Sequence, residues 1–157
     1  MSKLFVASDH AGFPLKQELI PYLTTLGHDV VDCGALTLEE GDDYPPIIRG
    51  CAERVAQEAG SFGIVIGGSG EGEAMVANKV TGIRCAVFYG EATRLQTDAD
   101  GVSRDIITST RVHNDANMLS LGARFITSEE ARQAVQTFLE TQASTDERHV
   151  RRRQAIG

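Results

Sequence analysis

The sequence predicts an α/β fold: a five-stranded parallel sheet, doubly wound, with helices on both faces. Apolar runs of strand length alternate with stretches of helical periodicity through most of the 157 residues. Parallel neighbours need crossover connections, and the helical stretches supply them. A glycine-rich turn also joins the third strand-like run directly to a helix. The length suits one core that buries about two-thirds of the unfolded chain's surface, so residues 1–157 are read as a single domain with 142–157 as a basic C-terminal arm.

The elements follow in order. Lys3 to Ala7 is the first strand, followed by the turn Ser8-Asp9-His10-Ala11-Gly12 and a helix carrying Leu15, Leu19, Tyr22, Leu23 and Leu26. Pro21 is expected to bend or interrupt that helix; Gly27 ends it, and His28 to Asp32 is the second strand. The acidic loop from Gly34 to Tyr44 leads to Pro45-Pro46, which introduces a helix with Ile47, Ile48, Cys51, Val55 and Ala56, closed by Gly60. Phe62 to Ile66 is the third strand, Glu73 to Lys79 a short helix, and Arg84 to Phe88 the fourth strand. Gly90 to Thr110 has poor periodicity until Ile106-Ile107 and reads as a long loop with helical pieces. Met118 to Leu121 is the fifth strand, and the last helix spans about Ser128 to Thr141. The arrangement is Rossmann-like.

Composition narrows the function classes. A net charge of −7 and a pI near 5.0 argue against a nucleic-acid footprint. The start of the chain shows no basic leader, long apolar run or cleavage site, so a cytoplasmic protein without membrane insertion is expected. Cys33, Cys51 and Cys85 are odd in number and lack metal-ligand spacing, so each is expected to act as a small buried hydrophobe. Arg148, His149, Arg151, Arg152 and Arg153 make the end of the chain basic: either a solvated tail or a phosphate-binding arm.

Chemistry concentrates at Gly67-Gly68-Ser69-Gly70-Glu71-Gly72-Glu73. Where a strand enters a helix, glycines leave backbone N–H groups open, and these form a nest for a phosphate or a developing oxyanion. Glu73 is either ordinary N-terminal charge placement or a general base beside that nest. The glycines do not follow the G-x-G-x-x-G dinucleotide spacing, no Gly-Lys-Ser/Thr ending marks a P-loop, and G-x-S-x-G is missed by one place. Asp9-His10 follow the first strand and His113-Asn114 lead into the fifth. By the rule that such sheets bind ligands outside the carboxyl ends of their strands, all three groups are expected in one cleft there. They contain the parts for moving protons on a small phosphorylated molecule.

Several motifs match a family in sequence order: Ser8-Asp9-His10-Ala11-Gly12-Phe13-Pro14-Leu15-Lys16, Asp32-Cys33-Gly34-Ala35, Asp42-Asp43-Tyr44-Pro45, Gly67 to Glu73, Ala77-Asn78-Lys79, His113-Asn114-Asp115-Ala116-Asn117, and Arg148-His149-x-Arg151-Arg152. From Ser8 to Arg152 the chain resembles the type B ribose-5-phosphate isomerases and their relatives acting on galactose 6-phosphate and allose 6-phosphate. The resemblance implies an aldose–ketose isomerisation through a cis-enediolate, without metal or organic cofactor. One branch of the family has a cysteine base where this chain has Gly67; the other has a glutamate, matched here by Glu73, and none of the three cysteines fits the first pattern. It further implies that Ser69 and the N–H groups of Gly70 to Gly72 hold the oxyanion, with Gly68 and Glu71 also in the binding loop. His113 and Asp9 would open the furanose ring, and His10 and Asn114 would orient the sugar. Arg148 and Arg152 would bind phosphate with His149 and Arg124 assisting, and Tyr44 would line the pocket. The active site would be shared between two subunits of a homodimer, with a tetramer possible.

One departure is the stretch Thr97 to Thr110, longer than the usual run before the His-Asn motif. It leaves a hexose phosphate as an alternative substrate. A non-catalytic sugar-phosphate binder is the rival of another class, which the retention of both Glu73 and His113 opposes.

Overall fold

The structure, a computed structural model, describes residues 1–91 and 96–157. Strands β1 (Lys3–Ser8), β2 (Asp29–Asp32), β3 (Phe62–Gly67) and β4 (Cys85–Phe88) lie in the main sheet, β5 (Gln96–Thr97) and β6 (Ser103–Arg104) form a separate hairpin, and β7 (Met118–Gly122) completes the main sheet. The helices are α1 (Phe13–Thr25), α2 (Tyr44–Gln57), α3 (Glu71–Ala77), α4 (Ile106–Asn114), α5 (Ser128–Glu140) and α6 (Glu147–Ile156). The main sheet has five strands in the order β2-β1-β3-β7-β4, and every neighbouring pair is parallel. The predicted architecture is therefore the observed one.

Both faces are apolar because the central strands carry consecutive apolar residues. Leu4, Val6, Ile64, Ile66, Leu119 and Leu121 pack against α1, α4 and α5 through Leu19, Leu23, Ile107, Val135 and Phe138. Phe5, Ala7, Val65 and Met118 face α2 and α3 through Ile48, Cys51, Ala52, Val55 and Ala77. The chain winds outward from β1 to β2, then returns past β1 to β3. The winding thus reverses between β1 and β3, and the crevice at their carboxyl ends is where such sheets admit ligands.

Four expectations need correction. Pro21 does not interrupt α1, which continues to Thr25; its ring lies on the exposed side, where the one lost backbone bond is tolerated. Helix α3 begins two residues earlier than its apolar pattern suggests, because Gly70 turns left-handed (φ 78°) and caps it. Residues 96–110 hold the expected helical piece, α4, capped by Asp105 accepting from the Thr108 N–H at 2.8 Å, and also a β5–β6 hairpin that was not expected. Residues 92–95 of that expectation lie outside the described residues. Finally, the basic arm is largely helical, starting where Asp146 accepts from the Arg148 N–H at 2.9 Å.

Candidate active site

The glycine loop is held at both ends. The Gly67 and Gly68 carbonyls accept from the N–H groups of Ala123 and Arg124 at 2.9 and 3.0 Å, just past β7. Ser120 donates its hydroxyl to the Gly70 carbonyl at 2.6 Å. From this loop α3 places Glu73 in its first turn with only 4% of its surface exposed. Its carboxyl folds back over Gly67 so closely that a Cβ on Gly67 would overlap it. Gly67 thus vacates the space that the carboxylate occupies. Burial raises the Glu73 pKa; its own backbone N–H opposes this, and Asp9 and Asp42 add to the rise by repulsion. A carboxylate so placed is a stronger base than an exposed one. Ser69 and Glu71 are exposed on the loop, with the Glu71 N–H on the Ser69 hydroxyl at 3.3 Å.

Beyond β1, Asp9 is buried and its Oδ1 accepts from the Gly12 N–H at 2.8 Å. The Asp9 N–H reaches the Ile66 carbonyl at 3.2 Å, which ties this turn to the end of β3. His10 bonds through Nδ1 to Asp42 Oδ1 at 2.7 Å, and its backbone N–H donates to the same oxygen at 3.2 Å. The Asp42 bond raises the His10 pKa and Asp9 adds to it, against desolvation and Arg124. The Tyr44 hydroxyl packs over Gly72, and the Arg124 guanidinium lies beside Gly68. Lys16 is fully buried and fixes the turn after β2, donating to Asp32 Oδ1 at 2.6 Å and the Ala35 carbonyl at 2.5 Å.

Asp42 was assigned no role by sequence reasoning. Its side chain is 8% exposed, and among the described residues its Oδ2 has no donor. Its place in Asp42-Asp43-Tyr44-Pro45 was the available signal, but nothing in that run says which of two adjacent aspartates turns inward.

His113 and Asn114 are elsewhere, contrary to the expected single cleft. They end α4, and a helix that precedes a parallel strand delivers its C-terminus to that strand's amino end. Arg84, just before β4, donates to the Asn114 and Asp115 carbonyls at 2.9 and 2.8 Å, which fixes that edge. Gly63 and Gly67, at the two edges of β3, are separated by four residue steps, about 13 Å. His113 stacks on His149 with ring centroids 4.7 Å apart and planes at 12°. His149 is buried, and burial, then Arg148 and His113, lower its pKa. Arg148 donates through Nε to His149 Nε2 at 3.2 Å, and Arg152 is exposed on α6.

The candidate residues therefore form two groups. Asp9, His10, Tyr44, Gly68, Ser69, Gly70, Glu71, Gly72, Glu73 and Arg124 gather at the carboxyl edge, while His113, Asn114, Arg148, His149 and Arg152 belong to the amino-edge group. Among the described residues no cluster of His, Cys, Asp and Glu is set to hold a metal ion. Cys51 is fully buried, whereas Cys33 and Cys85 are half-buried against the same core. The Cys85 thiol is pushed up to about 12 by burial and then by Glu73, which makes it unreactive.

A model of the Ribose/Galactose Isomerase family matches residues 4–156. The ribose-5-phosphate isomerase B of Mycobacterium tuberculosis is 41% identical over 150 residues, spanning 96% of this chain and 85% of that protein. Among solved structures, ribose-5-phosphate isomerase B from Mycoplasma genitalium with bound ribulose-5-phosphate superposes with a TM-score of 0.83 at 33% identity, covering 98% of this chain and 93% of that one. The Clostridium thermocellum ribose-5-phosphate isomerase B gives a TM-score of 0.82 at 36% identity, covering 99% and 95%. The motifs, the sheet and the matched length agree, and the chain belongs to the ribose/galactose isomerase family.

Proposed function

We propose that this chain interconverts ribose 5-phosphate and ribulose 5-phosphate, and that Glu73 carries the proton. The furanose ring opens when a proton leaves the O1 hydroxyl and one is supplied to the ring oxygen, with His113 and Asp9 on the two atoms. Glu73 then takes the C2 proton of the open-chain aldose, and the electron pair moves onto the carbonyl oxygen to give a cis-enediolate. The N–H groups of Gly70 to Gly72 and the Ser69 hydroxyl stabilise that oxygen, with Gly68 and Glu71 completing the loop around it. The O2 proton passes to O1, with the Ser69 hydroxyl as the relay, and return of the proton from Glu73 to C1 completes the ketose. His10, Asn114 and Tyr44 orient the sugar. Arg148 and Arg152, with His149 and Arg124, take the phosphate, which suits the forked guanidinium.

The reading needs the amino-edge group beside Glu73, and one chain keeps it at the opposite edge of the sheet. In this proposal a second copy supplies His113, Asn114 and the arginines, so the active unit is at least a dimer. The exposed Tyr89 and Phe125, an edge-to-face pair with centroids 6.4 Å apart beside the glycine loop, support an apolar cover at that edge. No helix among the described residues is long and apolar enough to cross a membrane, and we place the activity in the cytoplasm.

The observation that carries the reading is the buried Glu73 carboxylate in the space left by Gly67, at the end of the glycine loop. The test is Glu73→Gln, assayed for ketopentose formation and for ribose 5-phosphate binding by calorimetry. Turnover is expected to fall by about 10²–10⁴-fold, the usual contribution of a positioned base, with affinity retained. Turnover close to that of the unaltered protein would remove Glu73 as the base.

A further inference from the structure

The run before α4 is longer than the family resemblance leads one to expect, and its described part meets the amino-edge group. β5 and β6 pair in antiparallel fashion, Gln96 with Arg104 and Thr97 with Ser103. Asp98 shapes the turn between them. Its Oδ1 accepts from the N–H groups of Asp100 and Val102, both at 2.9 Å, and its Oδ2 accepts from Arg104 Nε at 3.0 Å. The same Oδ2 lies 3.4 Å from His113 Nε2. Two residues further on, both carboxylate oxygens of Asp100 bond to Arg148 Nη2. Asp146 Oδ2 stands 3.4 Å from Arg148 Nε on the other side. A hairpin built around one aspartate thus sets carboxylates against the imidazole and the guanidinium assigned above to the sugar and its phosphate.

We propose that Asp100 occupies the phosphate position on Arg148 in the free protein as an autoinhibitory contact, so that a ligand binds there by displacing it. The proposal rests on the reading of Arg148 as a phosphate ligand. The pair is weak enough to exchange: Asp100 and Arg148 side chains are 42% and 31% exposed, and water and salt screen such a pair. A phosphate dianion brings more charge and three acceptor oxygens to the guanidinium than the carboxylate it replaces. Asp98 contributes by fixing the turn, because the backbone N–H of Asp100 is one of the donors it holds. Asp100 therefore meets Arg148 from a turn that is already ordered.

The test uses the full-length chain and its Asp100→Asn variant, an exposed and nearly isosteric change. The readouts are the KM for ribose 5-phosphate and the inhibition constants of inorganic phosphate and acetate. Asp100→Asn is expected to lower the KM and the phosphate inhibition constant together, by about 2- to 5-fold as befits an exposed pair. It is also expected to lower the acetate constant by the same factor, because one displaced contact weakens every competing anion equally, with all differences shrinking at high salt. Arg148→Gln, made in both backgrounds, is expected to raise the KM and to erase the effect of Asp100→Asn. An unchanged or raised KM in Asp100→Asn, with Arg148→Gln still damaging, overturns the role of Asp100 and leaves Arg148 as a phosphate ligand. An unchanged KM in Arg148→Gln overturns the assignment of Arg148, and the role of Asp100 with it.

Discussion

Glu73 and Gly67 share one volume: the carboxyl of the first lies where a side chain on the second would begin. Gly67→Ala is accordingly expected to displace the carboxylate and cut kcat by about 10²-fold; an active Gly67→Ala protein would show that the buried position is not the working one. The same burial makes a statement about stability. It raises the Glu73 pKa in the folded chain above the unfolded value, so this group's contribution is complete below the unfolded pKa and is lost as the pH rises through the folded pKa. Glu73→Gln, neutral at every pH, should therefore melt at a higher temperature than the unaltered protein at neutral pH and at the same temperature below about pH 4. Thermal melts over a pH series check this. At His10 the direction is the same but the cause differs. Asp42 is the largest cause of its raised pKa, so Asp42→Asn should move the imidazole titration to lower pH, as read by NMR of the ring protons; an unmoved titration would deny the pair. Glu73 was legible in the sequence because a glycine loop between strand and helix announces itself. Asp42 was not, since its burial and its contact with His10, separated by 32 positions, exist only once the chain has folded.

The elements easiest to read were those stabilised by their own apolar pattern. β1, β3 and β7 are contiguous apolar runs, and α5 carries a complete capping box at Thr127 and Glu130. α4 was legible only as a helical piece of a longer loop, for a physical reason. Ile106-Ile107 is its main apolar signal, and its other end is fixed by Arg111, a residue that reads as surface charge. Arg111 is 5% exposed; it bonds Asp115 and the Ala116 carbonyl at 2.7 Å each and the Thr141 carbonyl at 3.2 Å. Its guanidinium carbon lies 5.0 and 5.4 Å from the centroids of Phe62 and Phe138. Arg111→Met fills the space but orphans those acceptors, and it is expected to cost about 2–3 kcal/mol in urea unfolding. A cost under about 0.5 kcal/mol, the level of an ordinary surface change, would show that this end of α4 is held by something else. α6 escaped for a related reason: it is polar nearly all round and buries His149 alone, so it has no periodic stripe to see.

At the scale of the molecule, the alternation of elements made the parallel sheet legible, while the strand order was not, because sequence fixes neighbours along the chain and not across a sheet. The rule that ligands lie at carboxyl ends placed Asp9, His10 and the glycine loop correctly. It failed for His113-Asn114, which lead into a strand instead of leaving one. That separation is why the proposed site, which uses both Glu73 and His113, is proposed to draw on two copies. Glu73→Gln and His113→Asn proteins, each inactive alone, are expected to regain activity when mixed and allowed to exchange subunits. With random pairing in a twofold dimer the regained level should approach about a quarter of the unaltered protein's activity; no regain after verified exchange would confine the site to one chain. The central claim is that Glu73 moves the C2 proton of a sugar phosphate, and proton NMR of ribose 5-phosphate with this protein in D₂O tests it most directly. Loss of the C2 proton signal together with growth of ketopentose, both abolished by Glu73→Gln, is the expected result. A C2 signal that persists in the presence of the unaltered protein, or one that disappears equally fast with the variant, would contradict it.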